Sequence, residues 1–304
     1  MMPTSSPAGG LSPLVAAGAS GLTTAACAAG LGAVRGVSQR LRRVNYRGRT
    51  VNLRGGVAVA AGAVAAGSCV GRTLPDAAEP AGAKAAIASV TATLAAGVAG
   101  LIDDLDAGAH DGDTPAKGLS GHLAALRRGH LTTGALKVAV IGASALAAGT
   151  VIAATRSRGG TVRTAVDAAT SAVVIASWAN LHNLLDLRPG RALKVAALTT
   201  APLLADPRPQ ASVSRMLAAG ALGTTTAAMP ADLGETTMLG DTGANALGAL
   251  VGAALAAHPS AVLRTVAATT GTGLVLTSER VSFSRVIEAN PILSAVDRLG
   301  RADQ

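Results

Sequence analysis

Residues 85–106 read AAIASVTATLAAGVAGLIDDLD, an uncharged run that ends in three carboxylates. A membrane-spanning helix needs about 20 apolar residues to cross about 30 Å of hydrocarbon. A run of this length and composition therefore predicts a helix that crosses a membrane and presents acidic side chains at one of its surfaces.

Eight other stretches of the chain are uncharged or carry only one charged residue. They are 11–34, 55–71, 131–154, 164–181, 192–205, 211–229, 242–257 and 260–277, and nearly all charged residues lie between them. A soluble core does not need such clean separation. We therefore expect an all-α fold: a polytopic membrane bundle of about nine to ten transmembrane helices, formed by a single domain over residues 1–304.

Composition excludes several other classes of protein. Only 14% of the 304 residues are charged and 49% are hydrophobic, which is too apolar for a disordered chain. With only two cysteines, the chain cannot be a secreted protein held together by several disulfide bonds. One Tyr, one Phe and one Trp leave almost no stacking surface for nucleic acid, despite a net charge of +9. An Ala/Gly-rich soluble α/β protein is the remaining alternative.

The positive charges predict an orientation. No Lys or Arg precedes the first apolar stretch, whereas seven arginines follow it in residues 35–54. Because basic loops stay in the cytoplasm, the N-terminus should lie outside the cell membrane. The segments expected on the cytoplasmic side are 35–54, 103–130, 182–191, 230–241 and the tail 278–304. The arginines of 155–163 fall on the outer side and oppose this trend.

Three short polar motifs fall at the predicted cytoplasmic ends of the helices. In the first, Asp103 and Asp104 follow Gly100 at the end of an apolar run, and Asp106 lies one helical turn beyond Asp103. Neighbouring carboxylates repel one another unless a cation lies between them, and oxygen ligands favour Mg²⁺ or Mn²⁺. The alternative is an acidic helix end dissolved in headgroup water.

The second motif ends the fifth apolar stretch. Asn180, Asn183 and Asp186 are one helical turn apart and form a polar stripe, with His182 among them. Amides at the edge of hydrocarbon need partners, which favours a binding role for the stripe. The alternative is a hydrogen-bonded seam between two helices.

The third motif, Gly240-Asp241-Thr242-Gly243, opens the eighth apolar stretch. Its glycines would let the backbone approach a phosphate, and a helix N-terminus favours anions. Taken alone, the motif is more typical of an ordinary turn in which Asp241 caps a helix.

In this order, the three motifs resemble those of the polyprenyl-phosphate sugar-1-phosphate transferases. This family includes phospho-N-acetylmuramoyl-pentapeptide transferase and the undecaprenyl-phosphate N-acetylglucosamine-1-phosphate transferases. Its Gly-x-x-Asp-Asp segment matches residues 100–104, its Asn-x-x-Asn-x-x-Asp segment matches 180–186, and its Gly-Asp-x-Gly segment matches 240–243. The likeness covers roughly residues 35–257.

The resemblance implies transfer of a sugar-1-phosphate to a polyprenyl phosphate lipid in cell-wall synthesis. The donor would be a nucleotide-diphospho-sugar of the UDP-N-acetylhexosamine type, and the active face would be cytoplasmic. Asp103 and Asp104 would be catalytic, and Asp241 would bind Mg²⁺ or Mn²⁺. The residues assigned to the nucleotide-sugar are Asn180, Asn183, Asp186 and, as a polar neighbour, His182. The expected partners are the membrane and these two substrates, without nucleic acid, and a homodimer is a further expectation.

Two other functions stay open. The family's usual sequence after Asp186 is replaced here by Leu187-Arg188-Pro189-Gly190-Arg191, and residues 278–304 lack the family's histidines. Such departures suit an inactive relative that binds lipid-linked precursors or scaffolds envelope enzymes. A secondary transporter would place charges near the bilayer midplane in repeated halves, whereas the acids here lie at one surface and no repeat is evident.

Overall fold

The computed structural model describes residues 12–73, 79–106, 121, 125, 127, 129, 132–156 and 159–301. Most of the predicted loop 103–130 therefore lies outside the described residues, as does Arg158. Helices occupy all nine predicted apolar stretches. They are α1 (Ser12–Ala33), α2 (Arg35–Arg40), α3 (Arg54–Thr73), α4 (Glu79–Asp106), α5 (Thr133–Arg156), α6 (Thr161–Leu185), α7 (Arg191–Thr200), α8 (Ser212–Leu233), α9 (Gly240–Ala256), α10 (Ala261–Ser278), α11 (Phe283–Ala289) and α12 (Pro291–Arg298).

One small hairpin interrupts this all-α fold. Strands β1 (Arg42–Val44) and β2 (Thr50–Asn52) pair antiparallel within the first basic loop. The Asn45 side chain accepts hydrogen bonds from the backbone N–H groups of Arg47 (2.9 Å) and Arg49 (3.0 Å), which closes the turn locally. From the sequence alone, this segment was expected only to be a basic loop.

Among the described helices, three are long and apolar enough to span a membrane: Pro13–Ala33, Ala81–Asp106 and Thr133–Arg156. Apolar side chains such as Leu22, Leu94 and Leu146 point outward from these helices, each more than half exposed. An exposed apolar surface of this kind suits contact with lipid. The larger number of spans, and the side that faces the cytoplasm, stay predictions.

Helix α9 forms the centre of the bundle. Every residue of α9 except Asp241 is buried, and the helix packs against α3, α4, α6 and α8. A helix that is apolar on all sides has to be surrounded in this way. A Cβ on Gly248 would lie 2.4 Å from the Trp178 carbonyl oxygen of α6, so this glycine allows the two helices to touch.

Helices α4, α5 and α9 each run from one end of the bundle to the other. The end of α4 meets the starts of α5 and α9 through Asp103, Lys137 and Asp241, and we name this the acidic end. At the opposite, basic end, Arg156 donates to the Ala256 carbonyl oxygen. Along α5 the two ends are about 28 Å apart, at 1.5 Å per residue from Lys137 to Arg156.

Candidate functional site

The acidic end is built where the last turn of α4 meets the first turn of α9. A Cβ on Gly100 would lie 2.2 Å from the Asp241 carbonyl oxygen, and a Cβ on Gly243 would lie 2.6 Å from the Gly56 Cα of α3. Only glycine permits backbones to approach so closely. The glycines of the first and third motifs therefore bring α3, α4 and α9 together at the acids.

Asp104 caps α9 from a neighbouring helix. Its carboxylate accepts hydrogen bonds from the backbone N–H groups of Asp241 (3.1 Å) and Thr242 (2.9 Å) and from the Thr242 hydroxyl (2.6 Å). A negative charge at a helix N-terminus is favourable because it satisfies unpaired N–H groups and the helix dipole. The α9 cap is thus supplied by Asp104, whereas the sequence suggested Asp241 as a cap.

Asp103 and Asp241 share one cation, the ammonium of Lys137. The Lys137 Nζ lies 2.5 Å from the Asp103 Oδ2 and also contacts the Asp241 Oδ2, and all three side chains are mostly buried. Lys137 is the only charged residue of stretch 131–154, and none of the polar motifs in the sequence includes it. A lone cation in an apolar helix signals an acidic partner.

Asp186 joins the same end of the bundle from the end of α6. Its carboxylate accepts a hydrogen bond from the backbone N–H of Gly240. Burial raises the pKa of the Asp186 carboxyl well above its usual range, and the nearby charges of Asp232 and Asp241 raise it further. Gly240 has a φ of 57°, a left-handed conformation that favours glycine.

The other residues of the second motif are placed differently. His182 is completely buried, and its Nδ1 lies 2.9 Å from the Trp178 carbonyl oxygen one turn earlier. It packs against Gly248 in the interface between α6 and α9. Asn180 and Asn183 are half-buried, and no hydrogen bond among the described residues joins either to the acids. The structure thus brings together Asp103, Asp104, Asp186 and Asp241, but not the histidine.

The β1–β2 hairpin covers the acidic end. Glu235 forms an ion pair with Arg47 at 2.9 Å and accepts a hydrogen bond from the Asn45 side chain at 2.6 Å. Arg43 donates to the Asp104 carbonyl oxygen at 2.6 Å. The hairpin therefore brings basic side chains next to the carboxylates, a placement that the sequence left open.

A cavity of about 190 Å³ lies between the hairpin and Asp186. Tyr46 and Arg188 line it, and the guanidinium carbon of Arg188 is 4.0 Å from the centre of the Tyr46 ring. Asp232 also lines the cavity and accepts a hydrogen bond from the Gly190 N–H at 2.6 Å. Burial raises the pKa of Asp232 to about 6. The cavity therefore carries both signs of charge in its wall.

Comparison with known proteins gives no independent guide to function. No family model matches this chain, and no curated protein matches it either. Function must therefore be inferred from the chemistry of the acidic end.

The acids at this end of the bundle can bind a divalent cation only if another ligand also coordinates the ion. Among the described residues, no group of three or more His, Cys, Asp or Glu side chains is arranged to hold a metal ion. Asp103 and Asp241 nevertheless direct two carboxylate oxygens at one cation, Lys137. Mg²⁺ is commonly bound by one or two carboxylates together with substrate phosphates. The pair could therefore supply two carboxylate oxygens to Mg²⁺ if other ligands complete its coordination.

Proposed function

We propose that this protein is a membrane-bound phosphotransferase that moves a sugar-1-phosphate from a nucleotide-diphospho-sugar to a polyprenyl phosphate. The observation that carries the proposal is the meeting of Asp103 and Asp104 with Asp186 and Asp241 at one end of the bundle. Asp104 and Asp241 are 137 positions apart in the sequence. Buried carboxylates repel one another, so a cluster gathered from three helices favours a cationic ligand.

Phosphoryl transfer needs positioning and charge stabilisation more than covalent chemistry from the protein. When bound, Mg²⁺ would neutralise charge that develops on the leaving nucleotide phosphate. Asp103 and Asp241 would hold it, and Asp103 would also orient or deprotonate the lipid phosphate. Asp104 would fix the start of α9, so its role is to position Asp241. Lys137 would keep the two carboxylates together before substrate binds.

The cavity beside Asp186 is the proposed place for the nucleotide-sugar. Arg188 has a planar guanidinium suited to phosphate oxygens, and Tyr46 offers a ring face. Asp186 would contact the donor, as the motif resemblance implies for this position. The same resemblance supports a UDP-N-acetylhexosamine donor, and the basic segment 35–54 supports a cytoplasmic location for the acidic end.

The direct test uses the purified protein with polyprenyl phosphate, Mg²⁺ and a panel of UDP-sugars, and measures UMP release. We expect turnover with at least one donor, and a loss of about 100-fold or more in Asp103→Asn and Asp241→Asn. Glu279→Gln is the matched control, because this exposed acid at the end of α10 lies on the same side but outside the cluster. No turnover with any donor, or rates unchanged in both aspartate variants, would reject the proposal.

One observation favours a second candidate, an inactive relative that only binds lipid-linked precursors. Lys137 already pairs with both Asp103 and Asp241, and Asp104 is fully used as a helix cap. A protein of this kind would bind polyprenyl phosphate without releasing UMP. Its lipid affinity would also be insensitive to Asp241→Ala, whereas the transferase should lose Mg²⁺-dependent binding in that variant.

A further inference from the structure

A second cavity, of about 650 Å³, lies at the basic end of the bundle. The start of α4, the end of α5 and the starts of α6, α8 and α10 line it. It is separated from the acidic cluster by the length of α5, so it belongs to a different site. Nothing in the proposed transfer reaction uses it.

Cationic side chains dominate the charge of this cavity. Arg156, Arg163 and Arg264 line it together with a single described carboxylate, Asp167. The Asp167 carboxylate lies 3.0 Å from the Arg264 Nη2 and 4.0 Å from the Arg156 Nη2, so two of the three cations share its single negative charge. The described charged residues of the lining therefore leave two positive charges in excess.

Arg264 has one donor without an acceptor. The residue is 4% exposed, and its Nη1 donates to the carbonyl oxygens of His258 (2.8 Å) and Pro259 (3.1 Å). Its Nε is buried and has no hydrogen-bond partner among the described residues, and the same holds for the Arg156 Nε. A buried donor that is left unpaired is costly, so these nitrogens indicate a missing acceptor.

Helix N-termini add to the positive field. Arg163 lies in the first turn of α6, and Ser212 and Val213 begin α8. Among the described residues, no side chain caps either helix. The N–H groups in the first turn of α6 have no capping side chain and attract anions, whereas the Ser212 N–H at the start of α8 already bonds to the Pro209 carbonyl oxygen.

We propose that this cavity binds a phosphate-bearing anion. Guanidinium groups and helix N-termini are the donors that phosphate oxygens prefer. The volume exceeds what one phosphate needs, and Ala85, Ile152 and Val213 give part of the wall an apolar character. A lipid headgroup phosphate and free phosphate are the two sources of this chemistry. The site also gives a role to Arg156 and Arg163, two of the arginines that oppose the positive-inside trend.

Binding to the detergent-solubilised full chain tests the proposal with three probes. They are inorganic phosphate, dihexanoyl-phosphatidylglycerol and dihexanoylglycerol, which lacks the phosphate, each followed by calorimetry at low ionic strength. We expect binding of at least one phosphate-bearing probe, and none of dihexanoylglycerol. Binding of phosphatidylglycerol alone identifies a lipid headgroup as the ligand, and binding of both phosphates shows that the phosphate group suffices.

Three substitutions locate the binding. Arg156→Gln should raise the Kd about tenfold and Arg163→Gln about threefold, because each removes a charge-assisted contact. Arg163 is exposed, so its variant should fold normally. Arg208→Gln is the control, since Arg208 is an exposed arginine of the same end that pairs with Asp206. Binding of neither phosphate, equal binding of dihexanoylglycerol, or a Kd unchanged in both cavity variants would overturn the proposal.

Discussion

The two ends of the bundle handle buried charge in opposite ways. At the acidic end, Asp103 and Asp241 share the ammonium of Lys137, so one of their two negative charges is balanced from within the chain. At the basic end, Arg156 and Arg264 each keep a buried Nε without a partner among the described residues. A cation that binds at the acidic end must therefore compete with Lys137. An anion that binds at the basic end would instead accept hydrogen bonds from donors that have no partner in the described part of the chain.

Removal of the internal cation should produce the largest effect. Lys137→Met leaves two mostly buried carboxylates unpaired, and we expect a loss of about 3–5 kcal/mol in the free energy of unfolding. Added Mg²⁺ should restore part of this loss, because the ion then binds without competition. Thermal unfolding in detergent, with and without Mg²⁺, measures both effects.

The matched control is Lys84→Met near the opposite end of α4. Lys84 is exposed, so its removal should change the free energy of unfolding by less than about 0.5 kcal/mol. If Lys137→Met costs no more than Lys84→Met, the two carboxylates are solvated and the contrast between the two ends fails. If Lys137→Met is destabilised but added Mg²⁺ restores none of its stability, Mg²⁺ does not bind at the proposed site.

The glycine contact that builds the acidic end gives the next largest effect. A Cβ at Gly100 would lie 2.2 Å from the Asp241 carbonyl oxygen, so Gly100→Ala must push α4 away from α9. We expect a loss of about 2–3 kcal/mol in the free energy of unfolding. UMP release should fall as well, because Asp103 would move away from Asp241.

Gly142→Ala in α5 is the control for helix propensity. No atom lies within 4 Å of a Cβ at Gly142, and alanine favours a helix over glycine by about 1 kcal/mol. This variant should therefore be as stable as the parent or slightly more stable. Equal thermal stability of the two alanine variants would contradict the close approach of α4 and α9.

Much of the fold follows from the sequence. The exclusion of charge from nine stretches predicted their helices, because each helix must bury an apolar surface or expose it to lipid. The motif resemblance predicted that Asp103 and Asp241 lie in one site. The glycines at positions 100 and 243 make this possible, because they let α3, α4 and α9 approach closely there. The number of spans and the orientation stay predictions.

Other features depend on packing that local sequence does not encode. Asp104 caps a helix that begins 136 positions later, from Asp104 to Gly240, and nothing in its neighbourhood predicts that partner. His182 lies within a polar motif, yet the helical register turns it into the interface with Gly248. Lys137 could have been found, since a lone cation in an apolar stretch requires a partner.

Asp232 and Asp206 should give the two ends opposite pH dependence. Burial raises the pKa of Asp232 to about 6 from 3.8, although the Gly190 N–H and Arg301 oppose the rise and Glu235 adds to it. The folded state then binds the proton more tightly, so stability falls as the pH rises from about 4 to 6. Asp232→Asn should flatten this slope and add about 2 kcal/mol at pH 7.

At the basic end the sign is reversed. Hydrogen bonds from Arg208 lower the pKa of Asp206, so its contribution is present at neutral pH and is lost as the solution is acidified below about pH 4. Asp206→Asn should therefore destabilise at pH 7 and have little effect at low pH. Thermal midpoints of the two variants from pH 3 to pH 7.5 check both signs, and parallel profiles would show that the two carboxyls share one environment.

The exposed ion pair between Arg188 and Glu288 should have the smallest effect. Its two charged atoms lie 3.1 Å apart, but the Glu288 side chain is 57% exposed, so water and salt screen the pair. Glu288→Gln should change the free energy of unfolding by less than about 0.5 kcal/mol. Arg188→Gln should cost about 1 kcal/mol, because it also removes the guanidinium from the face of Tyr46. If both variants behave alike in thermal unfolding, the Tyr46 contact contributes nothing, and Arg188 is free to meet a phosphate without a penalty.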